Sequence, residues 1–440
     1  MQPIDLLVLP RWLVPVEPAG AVLEEHALAV DAGRIVDVLP APFAHQAYQP
    51  REVLELPRHA LLPGLVNCHT HAAMTLLRGL SDDLPLMDWL QRHIWPAEAA
   101  HVSFAFCADG ARLAAAEMIR GGTTCFNDMY FFPDATAAVA GETGLRVTVG
   151  LIVFDFPTAW GQDWQEYIRR GLEVHDRLRG LPLVRTVFAP HAPYTVSDAP
   201  LRRVRELATE LGIGIHMHLH ETAAEVDGAV QSNGRRPWHR LRELDLLGQG
   251  FIAVHMTQLT EAEIAEAADL GVSVAHCPES NLKLASGFCP VAKLLAAGIN
   301  VAIGTDGAAS NNDLDMLGEL RTTALLSKAV AGDASALPAA AALRMATLGG
   351  ARALGLESEI GSLERGKSAD FFAIDLARPA TQPVYHVLSQ VVYAAGRDQV
   401  TDVYVAGRAL LREGKLLTVD EAQVFAKAAE WRERIIRTDL

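Results

Sequence analysis

Two histidines spaced two apart, His69 and His71, close the apolar run Leu61-Leu62-Pro63-Gly64-Leu65-Val66-Asn67-Cys68. Side chains at i and i+2 of a strand share a face, so both imidazoles can converge on one point. Neutral imidazole is the commonest metal ligand in proteins. A solitary His-x-His usually belongs to an ordinary strand-end turn, but here the pattern recurs. Later apolar runs finish in His191, in His218 with His220 and Glu221 just beyond, in His255, in His276, and in Asp306 within Gly304-Thr305-Asp306-Gly307. Burying that many ionisable groups without partners is costly. A bound cation relieves the cost, and three or four nitrogen or oxygen ligands with a water form the pattern of a catalytic zinc site.

His69 and His71 are the close pair of that set. His216, His218 and His220 share one face of their run, so at most one or two of them can reach a central ion. Asp306 offers a hard oxygen that can also take a proton from an attacking water. His276 reads as a hydrogen-bonded or packing histidine rather than a direct contact. His93 and His101 fall on a helical, solvated stretch, and His26, His45 and His59 read as surface residues ahead of these runs. The first lysine of the chain is Lys283, so none of the first six runs can supply a carboxylated lysine to bridge two ions. One metal ion is expected, not two.

Residues so far apart need a scaffold that gathers strand ends. Eight apolar runs, at 61–66, 122–127, 147–153, 184–189, 213–219, 251–255, 272–276 and 300–304, alternate with stretches of helical spacing such as Ala199–Leu211 and Thr260–Leu270. That alternation predicts an α/β fold, a (β/α)8 TIM-like barrel, with its active site at the carboxyl ends of the strands. A doubly wound sheet would carry Gly-x-Gly-x-x-Gly after an early strand, and none is present. Before the barrel, short strands are expected at Ile4–Leu9, Ala27–Val30 and Arg34–Leu39, with a hairpin at Asp31-Ala32-Gly33. After it, strands are expected at Gly361–Leu363, Ala369–Ile374 and Val400–Val405. Segments 1–60 and 358–418 should therefore pair into one small β-sandwich domain beside a 61–357 barrel, with an amphipathic C-terminal helix in 419–440.

Composition narrows the function classes. The chain has 440 residues, 50% of them hydrophobic, and a formal net charge of −15. An acidic surface without a dense Lys/Arg block repels phosphate backbones and anionic lipid, so neither nucleic acid nor membrane is an expected partner. No signal-peptide pattern follows Met1, and no apolar run reaches the ~18 residues a membrane helix needs. The five cysteines, Cys68, Cys107, Cys125, Cys277 and Cys289, are scattered without Cys-x-x-Cys. They suit reduced thiols in a cytoplasm, with Cys68 and Cys277 packing as small hydrophobes.

Three motifs, Pro63–His71, His218-Leu219-His220-Glu221-Thr222 and Gly304–Asn312, resemble the mononuclear deaminase branch of the amidohydrolase superfamily. More narrowly, the chain is similar to the 5′-methylthioadenosine/S-adenosylhomocysteine deaminases. That similarity rests on Met74–Gly79, Asp83–Leu90, Ile94–Glu98, Pro190–Tyr194, Ser280–Leu284 and Gly361–Asp370. The resemblance implies His69, His71, His218 and Asp306 as ligands of one divalent metal per subunit, with zinc favoured and iron or manganese as alternatives. It also implies that Glu221 protonates a purine ring nitrogen while His255 and Asp306 hold and deprotonate the attacking water. Glu98 would accept hydrogen bonds from the ribose hydroxyls, and His191 would contact the nucleoside. The implied reaction is hydrolytic deamination of a small-molecule adenine nucleoside to the inosine analogue and ammonia. Deamination of a free base or another heterocycle is the alternative, and a homo-oligomer is compatible with the resemblance. The other zinc deaminase design, His-x-Glu with a later Pro-Cys-x-x-Cys, is absent.

One loop departs from relatives that grip the homocysteine carboxylate. Residues Phe154–Trp164, after the third run, hold four aromatics and two aspartates but no arginine. An apolar wall suits a methylthio group better than a zwitterionic tail, so 5′-methylthioadenosine is expected to be preferred over S-adenosylhomocysteine.

Overall fold

The structure is a computed structural model and describes residues 1–438. The chain opens with β1 (Gln2–Leu13), β2 (Leu23–Glu24), β3 (His26–Asp31), β4 (Arg34–Pro40) and β5 (Tyr48–Pro63). Eight strands follow: β6 (Leu65–Thr70), β7 (Thr123–Asp128), β8 (Arg146–Val153), β9 (Val184–Pro190), β10 (Ile215–Leu219), β11 (Phe251–His255), β12 (Ser273–His276) and β13 (Val301–Ile303). The chain then returns through β14 (Phe371–Asp375), β15 (Val400–Val405), β16 (Arg408–Arg412) and β17 (Lys415–Leu416).

Strands β6 to β13 lie side by side in chain order, all parallel, with helices between them. Most are buried on both faces, which is why they read in sequence as continuous apolar runs. The two ends of the sheet meet just past the strands. Asp306 N donates to the His69 carbonyl at 3.0 Å, and Asn67 exchanges two hydrogen bonds with Thr305, at 2.8 and 3.0 Å. The result is a nearly closed barrel, and its closure draws the first and last ionisable segments together.

The first apolar run holds two strands rather than one. Leu61, Leu62 and Pro63 finish β5 and pair with Ala373, Phe372 and Phe371 of β14. The chain then steps at Gly64 and begins β6. A Cβ on Gly64 would lie 1.9 Å from Thr124 Oγ1, so only glycine permits that step. Both strands are apolar, so hydrophobicity along the run gives no sign of the break.

The remaining strands form one mixed sheet, ordered β17-β16-β15-β14-β5-β1-β3-β4, with β2 paired to β1. It curls over so that Leu28 and Val30 share a core with Phe371 and Tyr404. Two turns with positive φ at both central residues, Ala32-Gly33 and Ala406-Gly407, meet at the fold-over through Ala369, which bonds Gly33 and Gly407. Two sequence expectations change here. Gly361-Ser362-Leu363 is a bend rather than a strand, because Gly361 takes φ +91° against Leu348. His59 is buried on β5 opposite Asp375 rather than exposed.

Arg146, at the start of β8, makes a buried two-pronged ion pair with Asp370, joining barrel to sheet. The C-terminal helix spans Glu421–Ile436 and packs Trp431 on Phe106 of the helix Phe104–Arg120, with ring centroids 5.2 Å apart. Residues 439 and 440 of the expected helical segment lie outside the described residues. No described helix is long and apolar enough to cross a membrane.

Candidate active site

His69, His71, His218 and Asp306 each direct one ligand atom to a common point, all within 4.8 Å of one another. His69 ends the buried face of β6, His71 follows one residue past the strand, and His218 lies on β10. Asp306 Oδ1 stands 3.3 Å from His69 Nε2 and 3.2 Å from His71 Nε2, while His218 Nε2 is 3.2 Å from His69 Nε2. The opposite ring nitrogens fix the tautomers. His71 Nδ1 faces the Met129 carbonyl at 2.5 Å and His218 Nδ1 faces the His191 carbonyl at 2.8 Å. A carbonyl only accepts, so both Nδ1 atoms carry hydrogen and both Nε2 atoms are the ones turned inward. His69 Nδ1 meets His216 Nε2 at 3.0 Å, and the Asn127 amide donates to His216 Nδ1 at 3.2 Å, so a buried chain of contacts braces the third ring.

Three converging imidazole nitrogens and a carboxylate constitute a donor set for a divalent cation. The charge balance agrees. Burial pushes the Asp306 carboxyl up, but hydrogen bonds and charge from His69 and His71 outweigh it and hold the carboxyl well below its ordinary range. Burial also pushes His71 down, yet Asp306 overrides it and raises the imidazole to about 9. The Asp306 carboxylate draws a proton onto His71, and a cation at the same point would displace that proton.

Glu221, two residues past β10, and His255, the last of β11, face the same cavity, with Glu221 Oε2 3.8 Å from His255 Nε2. Burial raises the Glu221 carboxyl, and the Asp306 charge adds to that, so the group is suited to carry a proton. His255 Nδ1 is bonded to Asn281 Oδ1 at 2.8 Å, leaving Nε2 as an acceptor towards the cavity. His220, His255 and Asp306 all have positive φ, at 52°, 75° and 63°. The backbone bends sharply where each strand ends and turns the following groups inward.

The cavity continues outward as a cleft of about 650 Å³. Glu98 lies on one wall, accepting from Tyr130 Oη at 2.7 Å, and burial pushes its carboxyl up to about 7. His191 lies on another, stacked on Phe154 with ring centroids 4.6 Å apart, its Nδ1 held by Thr195 Oγ1 at 2.9 Å. Seven of the eight site residues predicted from sequence line this cavity, and His69, fully buried, joins them through the four-residue cluster. No lysine or arginine lines the cleft among the described residues. Of the four aromatics in the 154–164 loop, only Phe154 lines it. Phe156 backs Phe154 and Trp95, whereas Trp160 turns away and packs on Phe132.

Sequence reasoning missed the groups that hold these side chains. Asp128 accepts from Thr70 Oγ1, Ala72 N and Thr136 Oγ1, and so fixes the segment between and after the two histidines. Ser280 and Ser310 donate to Asp306 Oδ2 at 2.6 and 2.9 Å. His216 alone carried a usable signal, its shared parity with His218. His276 is buried and stands outside the four-ligand cluster, but its Nδ1 has no hydrogen-bond partner among the described residues, so it packs rather than bonds there. His93 and His101 are half-buried rather than solvated, and His101 Nε2 bonds Thr438 at 2.9 Å.

A model of the amidohydrolase family matches residues 60–410. The 5-methylthioadenosine/S-adenosylhomocysteine deaminase of Saccharophagus degradans is 48% identical over 433 residues, covering 98% of this chain and 97% of its own. The enzyme of that name from Teredinibacter turnerae is 48% identical over 432 residues, covering 98% of each. Among solved structures, a zinc-bound adenosine deaminase from Xanthomonas campestris superposes with TM-score 0.98 at 57% identity, over 99% of this chain and 100% of its own. A zinc complex of atrazine chlorohydrolase from Arthrobacter aurescens gives TM-score 0.90 at 22% identity, over 97% of this chain and 100% of its own, a likeness of fold.

Proposed function

Because the chain belongs to the amidohydrolase family, we propose that its site hydrolytically deaminates an adenine nucleoside, 5′-methylthioadenosine and/or S-adenosylhomocysteine with adenosine as a further candidate, to the inosine analogue and ammonia. The observation that carries the reading is the convergence of three imidazoles and a carboxylate at the floor of a cleft, with Glu221 and His255 beside them. His69, His71, His218 and Asp306 are the residues that would hold one Zn2+ per subunit. Such an ion, when bound, lowers the pKa of a water from about 15.7 towards ~7, so that hydroxide is available at neutral pH.

The chain's own groups supply the rest. Glu221 delivers a proton to a ring nitrogen of the purine and so makes C6 electrophilic. His255 Nε2 and Asp306 orient the attacking water and take its proton, which then passes to the departing amine. Asp306 can hold that role as an ionised base because the two serines and the paired histidines stabilise its charge. Glu98 accepts from the ribose hydroxyls, and the His191–Phe154 stack borders the bound nucleoside.

Ammonia release from a panel of adenine nucleosides, with metal content per chain, tests the reading. Failure of every nucleoside, or a metal-free active enzyme, would overturn it. Glu98→Ala should depress nucleoside turnover far more than turnover of a free base, and equal losses would point to a free-base deaminase instead. Within the nucleosides, 5′-methylthioadenosine is the preferred substrate, because the cleft carries Phe154 and no cationic side chain for a carboxylate. A higher kcat/KM for S-adenosylhomocysteine would refute that preference. The acidic net charge favours a small molecule over nucleic acid, and the five free thiols fit the cytoplasm.

A further inference from the structure

The one-turn helix Pro278–Lys283, after β12, carries the Ser280-Asn281-Leu282-Lys283-Leu284 motif. Ser280 and Asn281 bond Asp306 and His255. Lys283, which the reaction does not use, reaches two further segments. Its ammonium donates to Asp82 Oδ1 at 2.6 Å, to the Ala309 carbonyl at 3.2 Å and to Asn312 Oδ1. An ammonium has three donors on one nitrogen, and each meets an acceptor here. The planar fork of a guanidinium could not bring its donors to three acceptors around one point.

The three acceptors belong to two segments far apart in the chain, each of which runs on to the cleft. Ala309 and Asn312 are on the loop after Asp306. Asp82 is in the turn at 79–85, where Gly79 and Asp83 both have positive φ, at 67° and 62°. That turn leads into the short helices Leu86–Trp89, Leu90–Ile94 and Trp95–His101, which bring Trp89, Trp95 and Glu98 to the cleft. The hydrogen bond and charge of Lys283 hold the Asp82 carboxyl below its ordinary range.

We propose that Lys283 is a positioning residue for nucleoside binding, latching the 79–101 wall to the 306–312 loop and so setting where Glu98 meets the ribose. The idea rests on the ribose role assigned to Glu98 above. Without Lys283, the long Asn312 Nδ2–Asp82 Oδ1 contact at 3.5 Å is what joins Asp82 to that loop, and the wall gains freedom to move about Gly79 and Asp83. Glu221, His255 and Asp306 are held by other bonds and keep their places. The Asp82–Lys283 pair is partly exposed, with side chains 39% and 20% accessible, so its effect should be local rather than on global stability.

The test compares Lys283→Met, Asp82→Ala and the double variant with the full-length, metal-loaded wild type. Amide hydrogen exchange of the 79–101 peptides should accelerate by about ten-fold or more in each variant, with peptides elsewhere unchanged. KM for 5′-methylthioadenosine should rise by about ten-fold while kcat stays within about three-fold. The double variant should be no worse than the worse single one, because both remove the same contact. Unchanged exchange in 79–101, additive effects on KM, or a fall in kcat at constant KM would each overturn the proposal. Hydrogen exchange needs no turnover, so it reports on the latch even if the wild type were to deaminate no nucleoside.

Discussion

At the scale of single residues, the candidate site depends on what restricts its eight predicted side chains as much as on those side chains. Asp128 shows the principle. It touches no metal-facing atom, yet it ties down Thr70, Ala72 and Thr136 around the His69-Thr70-His71 segment. Glu98 carries the clearest pH signature. Burial raises its carboxyl to about 7, and the Tyr130 hydroxyl and the His71 charge offset that only in part. An acid with a raised pKa is protonated below that value, and a protonated carboxyl cannot accept from both ribose hydroxyls. kcat/KM for 5′-methylthioadenosine should therefore fall as pH drops through the region of 7. A divalent cation beside His71 would move that limb to lower pH. Glu98→Gln should lower the plateau and flatten the limb in a pH–rate profile. A limb that survives the substitution unchanged would assign it to another group.

Among elements, the junction between β5 and β6 decides whether the first histidines reach the barrel mouth. Pro63 ends a strand of the mixed sheet, Gly64 makes the step, and β6 runs on into His69. Gly64→Ala would place a Cβ inside the Thr124 side chain, 1.9 Å from its hydroxyl. Overpacking a core typically destabilises by about 1–3 kcal/mol, and a clash this severe belongs at or above the upper end. A lower denaturation midpoint is expected, together with weaker metal binding, because β6 positions His69 and His71. Wild-type stability in the Gly64→Ala variant would mean that the junction relaxes freely. The sequence concealed this junction because both strands are apolar. It concealed the bend at Gly361-Ser362-Leu363 for the opposite reason, since a short apolar fragment beside a glycine reads as a strand until its φ of +91° is seen.

Over the whole molecule, the Arg146–Asp370 pair fastens the barrel to the sheet that its own flanking segments build. The two side chains are 7% and 1% exposed, and Asp370 also accepts from Ser368 Oγ and Ala406 N. Removing one partner of a buried pair commonly costs about 3–5 kcal/mol, because the other charge is left stranded. Arg146→Met should lose stability on that scale by calorimetry or denaturant titration, and Asp370→Leu added to it should recover much of the loss. A mild single-variant effect would show that water reaches Asp370. What could be read along the chain and what could not divide on physical lines. Alternating apolar runs and helical spacing disclosed the eight barrel strands, because strands buried on both faces leave long hydrophobic signatures. Their polar ends disclosed His69, His71, His191, His218, His255 and Asp306, because a strand end is where this architecture gathers chemistry. Glu98 came only through family resemblance, since it lies on a helix of the cleft wall where a lone carboxylate has no periodic signal. Asn281, Ser280, Asp128 and Lys283 act through contacts between segments tens to hundreds of residues apart. Such partnerships exist only once the barrel closes, because hydrogen bonds of this kind depend on distance in space and leave no periodicity in the sequence.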